Sequence, residues 1–238
     1  MSRSKVAVVT GATSGIGAAI SRALASSRVS VLLVGRNPHK LARSARHIPR
    51  RYLAGTELAD LGSLSDVTRL VKSLVQRFHR IDLLVHSAAE YSWTETGSTD
   101  TVGLERLLAV NVRAPFVLTQ GVIPLLARAR GQVIFLNSSV VKGAGQGTAG
   151  YKASKHALQG LADSLRQDLN KQGIRVLSLY PGRVATPGMR RIYARQKQTY
   201  APDLLLRAAD VGALVVALSQ LPARMEVTDL HLRSVTPY

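Results

Sequence analysis

Tyr151 and Lys155 stand four residues apart in GYKASKHAL (150–158), within a stretch of helical character. That spacing puts both side chains on one helix face, one turn apart. A phenol ordinarily releases its proton only near pH ~10, so proton exchange near neutrality calls for a neighbouring positive charge. A fixed ammonium supplies one. A tyrosine by itself is more often a packing residue, so the pair becomes chemical only if other elements bring a reacting group to it.

A second constellation opens the chain. VVTGATSGIGAAI (8–20) passes from a strand-like to a helix-like pattern through Gly11, Gly15 and Gly17. Gly11 permits a sharp turn, Gly15 lets the backbone approach a pyrophosphate, and Gly17 lets the helix pack closely on the sheet. The helix N-terminus then stabilises phosphate charge. The strand–turn–helix context is what this mechanism requires, the bland alternative being a tight turn with no ligand. The next strand ends VLLVGRN (31–37), with Gly35 where a ribose-binding carboxylate is expected for NAD. No carboxylate is there to repel a 2′-phosphate, and Arg36 can fork one. This favours NADP over NAD, against the alternative of an ordinary surface arginine.

These groups need a scaffold that converges on them. Apolar runs at 5–10, 29–35, 51–55, 81–88, 131–138, 174–181 and 227–232 read as strands. Helical periodicity fills 15–27, 39–47, 63–78, 101–128, 150–172 and 207–220, with Ser63 as an N-cap. Residues 183–202 read as a basic loop. Near-continuous Val, Leu and Ile strands alternating with helices predict an α/β fold: a single-domain, Rossmann-like, doubly wound parallel sheet of about seven strands with helices on both faces. Such sheets bind ligands at the C-terminal strand ends, where both constellations fall.

Composition narrows the chemistry. The 238 residues include no cysteine, which excludes disulfides, thiolate nucleophiles and cysteine-based metal sites. No metal site is expected. No long uncharged apolar run offers a membrane span, and the N-terminus runs directly into a strand, so no membrane association and a cytoplasmic location are expected. The formal charge is +18, from 32 basic and 14 acidic residues, and the first acid is Glu57. Such a field favours anionic partners, or it is an ordinary solvated surface. Nucleic acid is not an expected partner, since no recognition motif accompanies the charge.

TGATSGIG (10–17), Asp60, NV (111–112), NSS (137–139), YKASK (151–155) and PGRVAT (181–186), in this order and spacing, resemble the short-chain dehydrogenase/reductase family over nearly the whole chain. The resemblance implies hydride transfer with an NADP cofactor. It makes Tyr151 the general acid in carbonyl reduction, Lys155 its tuning charge and the holder of the nicotinamide ribose, and Asn111 the holder of a water that links Lys155 to solvent. The substrate-orienting serine is Ser139 or Ser138. Ser138 has the family's usual spacing to Tyr151, but Ser139 matches the second serine of the family pair and is preferred. Cofactor contacts are implied at Gly11, Thr13, Ser14, Gly15, Ile16 and Gly17, at Arg36, at Asp60 and Leu61 by the adenine, at Ala88, at Tyr151 and Lys155, and at Pro181, Gly182, Val184 and Thr186 by the nicotinamide. HSAA (86–89) departs from the family's usual NNAG, and His86 reads as a structural histidine.

A substrate loop is expected over about 187–206, with Arg190, Arg191, Arg195 and Lys197 suited to a small carbonyl substrate that is anionic or borne by an acidic carrier protein. Tyr91, Trp93, Met189, Tyr193 and Tyr200 are candidate apolar contacts. The family resemblance further implies a homodimer or homotetramer through the helices near 101–127 and 150–172, where Val112, Phe116 and Leu161 are apolar. The competing functional reading is an NADP-binding regulatory or redox-sensing protein with little turnover.

Overall fold

The computed structural model describes residues 4–92, 101–143 and 148–235; the candidate contact Trp93 lies outside them. In chain order the elements are β1 (Val6–Thr10), α1 (Gly15–Ser26), β2 (Ser30–Gly35), α2 (Pro38–Arg46), β3 (Leu53–Leu58), α3 (Leu64–Arg77) and β4 (Leu83–His86). Then follow α4 (Thr101–Leu108), α5 (Ala114–Ala129), β5 (Gln132–Leu136), α6 (Ala149–Asn170) and β6 (Arg175–Pro181). The chain closes with β7 (Val184–Ala185), α7 (Pro187–Arg195), β8 (Leu206–Arg207), α8 (Ala208–Ser219) and β9 (Asp229–Leu232).

Seven strands form one sheet in the order β3-β2-β1-β4-β5-β6-β9. Every pairing in it is parallel. Alternate strand residues explain the continuous apolar runs, because each face has its own core. Val8, Leu32, Leu84, Val133 and Phe135 pack against Leu70 and Leu74 of α3, Leu118 and Val122 of α5 and Leu158 of α6. Val9, Leu33, Val85 and Ile134 pack against Ile20 and Leu24 of α1 and Val211 and Val215 of α8. The doubly wound expectation holds, and strand order reverses between β1 and β4, whose C-terminal ends therefore part to leave a crevice.

Three local features differ from the sequence expectation. The helix expected over 101–128 carries a π-helical turn at Ala109–Arg113 between α4 and α5. By length and composition the stretch Thr101–Ala129 is apolar enough to cross a membrane. Here Leu107, Leu118, Val122, Leu125 and Leu126 are buried in the protein core. The basic segment 183–202 is not a loop throughout: Thr186 caps α7 by accepting from the Met189 N–H at 3.1 Å, with Pro187 at its first turn. The strand expected at 51–55 begins later, at Leu53, after a short 3₁₀ turn over Arg50–Tyr52. Of the proposed interface residues Phe116 is exposed, Val112 half-buried, and Leu161 packed against the core.

His86 is a structural histidine. It is buried, its Nε2 lies 2.9 Å from the Thr119 hydroxyl, and its ring stacks on Phe135 at 4.9 Å. Burial pulls its pKa down to about 3. The unfolded histidine binds its proton near ~6.5 and the native one does not until about 3, so acidification favours unfolding in that window. We expect His86→Asn, which cannot ionise, to shallow the fall in unfolding free energy between pH 6.5 and 4 by up to about 1.4 kcal/mol per pH unit. Denaturant titrations across this range would show it, and parallel slopes for the two proteins would refute it.

Candidate active site

The turn after β1 fits its glycines. Gly11 has φ +66, and a Cβ there would lie 2.7 Å from the backbone of Ala88; a Cβ on Gly17 would collide with the Gly11 carbonyl oxygen. The Thr10 hydroxyl accepts from the Ser87 and Ala88 N–H groups at 3.1 and 3.2 Å, joining the ends of β1 and β4. Helix α1 then starts at Ser14 with no side-chain cap and no acid in its first turn. The starts of α2, α3 and α7 are capped by Asn37, Ser63 and Thr186. The uncapped amides of α1 face a cleft of about 650 Å³. Arg36, Lys40, Arg191 and Arg195 line the same cleft. Uncapped amides, flanking cations and a turn with no room for side chains fit a phosphate-bearing dinucleotide.

Most of the expected cofactor residues meet there. Gly11, Thr13, Ser14, Gly15, Ile16, Gly17, Arg36, Asp60, Leu61, Ala88 and Thr186 all line the cleft. Tyr151, Lys155, Pro181, Gly182 and Val184 do not: Lys155, Pro181 and Val184 are buried, and the Gly182 N–H donates to the Leu232 carbonyl at 2.7 Å. Tyr91, a candidate apolar contact, lines it too, and Lys40, Glu90 and Arg106 line it without having been singled out. Their signal was absent because single charged residues in a basic chain carry no spacing.

At the adenosine end the charges are already paired. Arg106 forks Asp60 at 3.0 and 2.7 Å, and the Gly62 N–H donates to the same carboxylate at 3.0 Å. The Arg106 hydrogen bond, above all, holds the Asp60 carboxyl below its usual range, against the opposing effect of its partial burial. Asp60, expected by the adenine, thus lines the cleft with its carboxylate already paired, and an Oδ2 lone pair remains to accept a further donor. Arg36 is 3.1 Å from Glu90. A Cβ at Gly35 would collide with the Thr13 methyl, so packing requires that glycine independently of cofactor choice.

The catalytic candidates cluster at the ends of β5 and β4. Ser138 rather than Ser139 faces Tyr151. The Ser138 hydroxyl lies near enough to the Tyr151 phenol to favour its ionised form, while the Ser138 Oγ accepts from the Val140 N–H at 3.2 Å. Ser139 is exposed and begins a short 3₁₀ turn whose start Ser138 caps. Exposure of Ser139 and proximity of Ser138 to Tyr151 favour Ser138 over the preferred Ser139, and Ser138 keeps the thirteen-residue spacing to Tyr151. Lys155 is fully buried, donates to the Leu136 carbonyl at 2.8 Å, and lies 5.8 Å from the Tyr151 ring centre.

Burial sets both protonation states. It pushes the Tyr151 phenol up to about 12, against the opposing hydrogen bond from Ser138. It pulls the Lys155 amine down to about 7. Desolvation, rather than the expected charge of Lys155, dominates the Tyr151 phenol, so Tyr151 holds its proton while burial pulls Lys155 down toward neutral pH. Asn111 sits in the π turn, a distortion frequent at functional sites. Its Oδ1 accepts from the Glu90 N–H at 2.8 Å, and its Nδ2 donates to the Glu90 carbonyl at 3.0 Å and the Ser154 hydroxyl at 2.9 Å. Both amide hydrogens are taken, so its side chain is a structural clamp with only an Oδ1 lone pair left for a water.

Tyr91 packs edge-on to Tyr151 at 5.0 Å, linking the cleft to the catalytic cluster. Of the basic segment, Arg191 and Arg195 line the cleft while Arg190 and Lys197 do not. Tyr193 is a packing residue, buried against Tyr200 at 5.5 Å and accepting from Arg183 at 2.8 Å.

Comparisons with known proteins agree with this architecture. The family model for short chain dehydrogenases matches residues 5–197. An uncharacterized oxidoreductase of Staphylococcus saprophyticus is 32% identical over 236 residues, covering 97% of each chain. The L-fucose dehydrogenase of Bos taurus is 33% identical over 234 residues, 97% of this chain and 83% of that one. A metagenomic short-chain oxidoreductase solved in complex with NADP superposes with a TM-score of 0.83 at 26% identity, over 98% of both chains. With that match over residues 5–197 and these relatives, the chain, with its parallel sheet, glycine turn and Tyr-Lys helix, belongs to the short-chain dehydrogenase/reductase family of oxidoreductases.

Proposed function

We propose that the protein is an NADPH-dependent reductase that converts a ketone-type carbonyl into an alcohol. One observation carries this reading: the Ser138–Tyr151 hydroxyl pair stands next to buried Lys155 and, through Tyr91, beside the cleft into which α1 opens uncapped. Arg36, Lys40 and the amides of α1 would hold the dinucleotide, and the NADP-bound relative supports that choice. When bound, the dinucleotide supplies the hydride.

The chain's own groups move the proton. Ser138 and Tyr151 both donate to the carbonyl oxygen, polarising the carbon for attack. The Tyr151 proton passes to that oxygen as charge develops on it, and a phenol held protonated at neutral pH is in the right state to act. Lys155, buried with a pKa near 7, is placed to return a proton toward Tyr151. Burial of these groups strengthens each interaction by excluding water.

The substrate is a small carbonyl compound, anionic or borne by an acidic carrier, because α7 brings Arg191 and Arg195 to the cleft. The exposed Leu104, Leu108 and Phe116 on α4 and α5 suit association with a second copy. A purely regulatory NADP-binding protein would have no use for the Ser138, Tyr151 and Lys155 cluster.

NADPH oxidation followed against ketones, aldehydes, quinones and acyl thioesters tests the reading. We expect Tyr151→Phe to lower kcat by about 10²–10⁴-fold. Turnover undiminished by that change, or a preference for NADH, would sink it. The serine assignment has its own test. Ser138→Ala should cost about a hundredfold in kcat as a lost donor, while exposed Ser139→Ala should stay within about twofold. The reverse order would restore Ser139.

A further inference from the structure

Glu90 occupies the place where a cofactor phosphate would seek its arginine. Its carboxylate lies 3.1 Å from Arg36 Nη1 and 3.7 Å from Arg106 Nε. Arg106 in turn forks Asp60. The result is a chain of alternating charges, Arg36–Glu90–Arg106–Asp60, along the adenosine end of the cleft, and all four residues line it.

The backbone of Glu90 cannot withdraw. Its N–H and its carbonyl are both held by the Asn111 side chain, at 2.8 and 3.0 Å, and Asn111 is itself buried in the π turn. Only the Glu90 side chain can rotate, toward Arg106 and away from Arg36. A 2′-phosphate reaching Arg36 must therefore displace a carboxylate and then sit near it, like charge against like. An unphosphorylated ribose demands no such displacement.

From this geometry we propose that Glu90 is a selectivity residue: an internal anion on Arg36 that competes with the 2′-phosphate and narrows the preference for NADP over NAD. The proposal rests on the cleft being the dinucleotide site. Sequence patterns at the end of β2 miss it because the carboxylate arrives from the segment after β4.

The test uses binding to the full chain by calorimetry, with 2′,5′-ADP and NADP as phosphorylated probes and 5′-AMP and NAD as plain ones. Half-exposed ion pairs of this kind are modest, so Glu90→Gln should tighten the phosphorylated probes about two- to fivefold. The plain probes should not tighten. In an Arg36→Ala background the gain should vanish. Phosphorylated probes that bind Glu90→Gln no better, equal tightening of both kinds, or a gain that survives Arg36→Ala would each overturn the proposal. The last two results would assign the effect to net charge. Failure of the wild-type chain to bind any of the four probes would instead overturn the dinucleotide reading of the cleft, and the proposal with it.

Discussion

The Asn111 side chain joins the two halves of the site. Its amide spans the loop after β4 and helix α6, with three hydrogen bonds in a buried setting. Losing such a partner leaves buried polar groups unpaired, at about 1–3 kcal/mol each. Ser154, which accepts from Asn111, donates in turn to the Tyr151 carbonyl at 2.7 Å. One side chain thus sets the position of Glu90 and Tyr91 on the cleft wall relative to the first turn of the helix that bears Tyr151 and Lys155. The π turn makes room for that reach by inserting a wider coil into an otherwise regular helix.

Electrostatics in the site come from burial more than from the excess of arginine. Lys155 and Tyr151 are displaced in opposite directions by the same cause, loss of water. The protonated phenol and a readily exchanged amine follow from burial of these groups where the end of β5 meets the first turns of α6. The arginines act farther out. Arg36 and Arg106 are tied to Glu90 and Asp60, while Arg191 and Arg195 ride on the helix after β7. The positive field along the cleft therefore has a paired part near the adenosine end and a part without a carboxylate partner among the described residues on α7.

Much of this was readable from residue order. Continuous apolar strands between helical periods could be buried only on both faces, which implies a parallel doubly wound sheet. Gly11 and Gly17 announced a turn that passes against neighbouring backbone, and the Ala88 and Gly11 contacts show why no larger residue fits. Tyr151 and Lys155 shared a face because helical geometry demands it at that spacing. The family resemblance extended these local readings to Asn111 and Asp60.

Sequence by itself determined the elements and the residues that repeat at fixed local spacing, because backbone sterics and periodic burial are local rules. Only the tertiary structure decided the partners of charges and hydroxyls. Ser138 and Ser139 are adjacent in the chain, yet at a 3₁₀ turn one lies near Tyr151 and the other is exposed. Asp60 met Arg106 across 46 residues, and Glu90 met Arg36 across 54. Such pairings depend on where the strand ends converge in space, and no spacing along the chain encodes that distance.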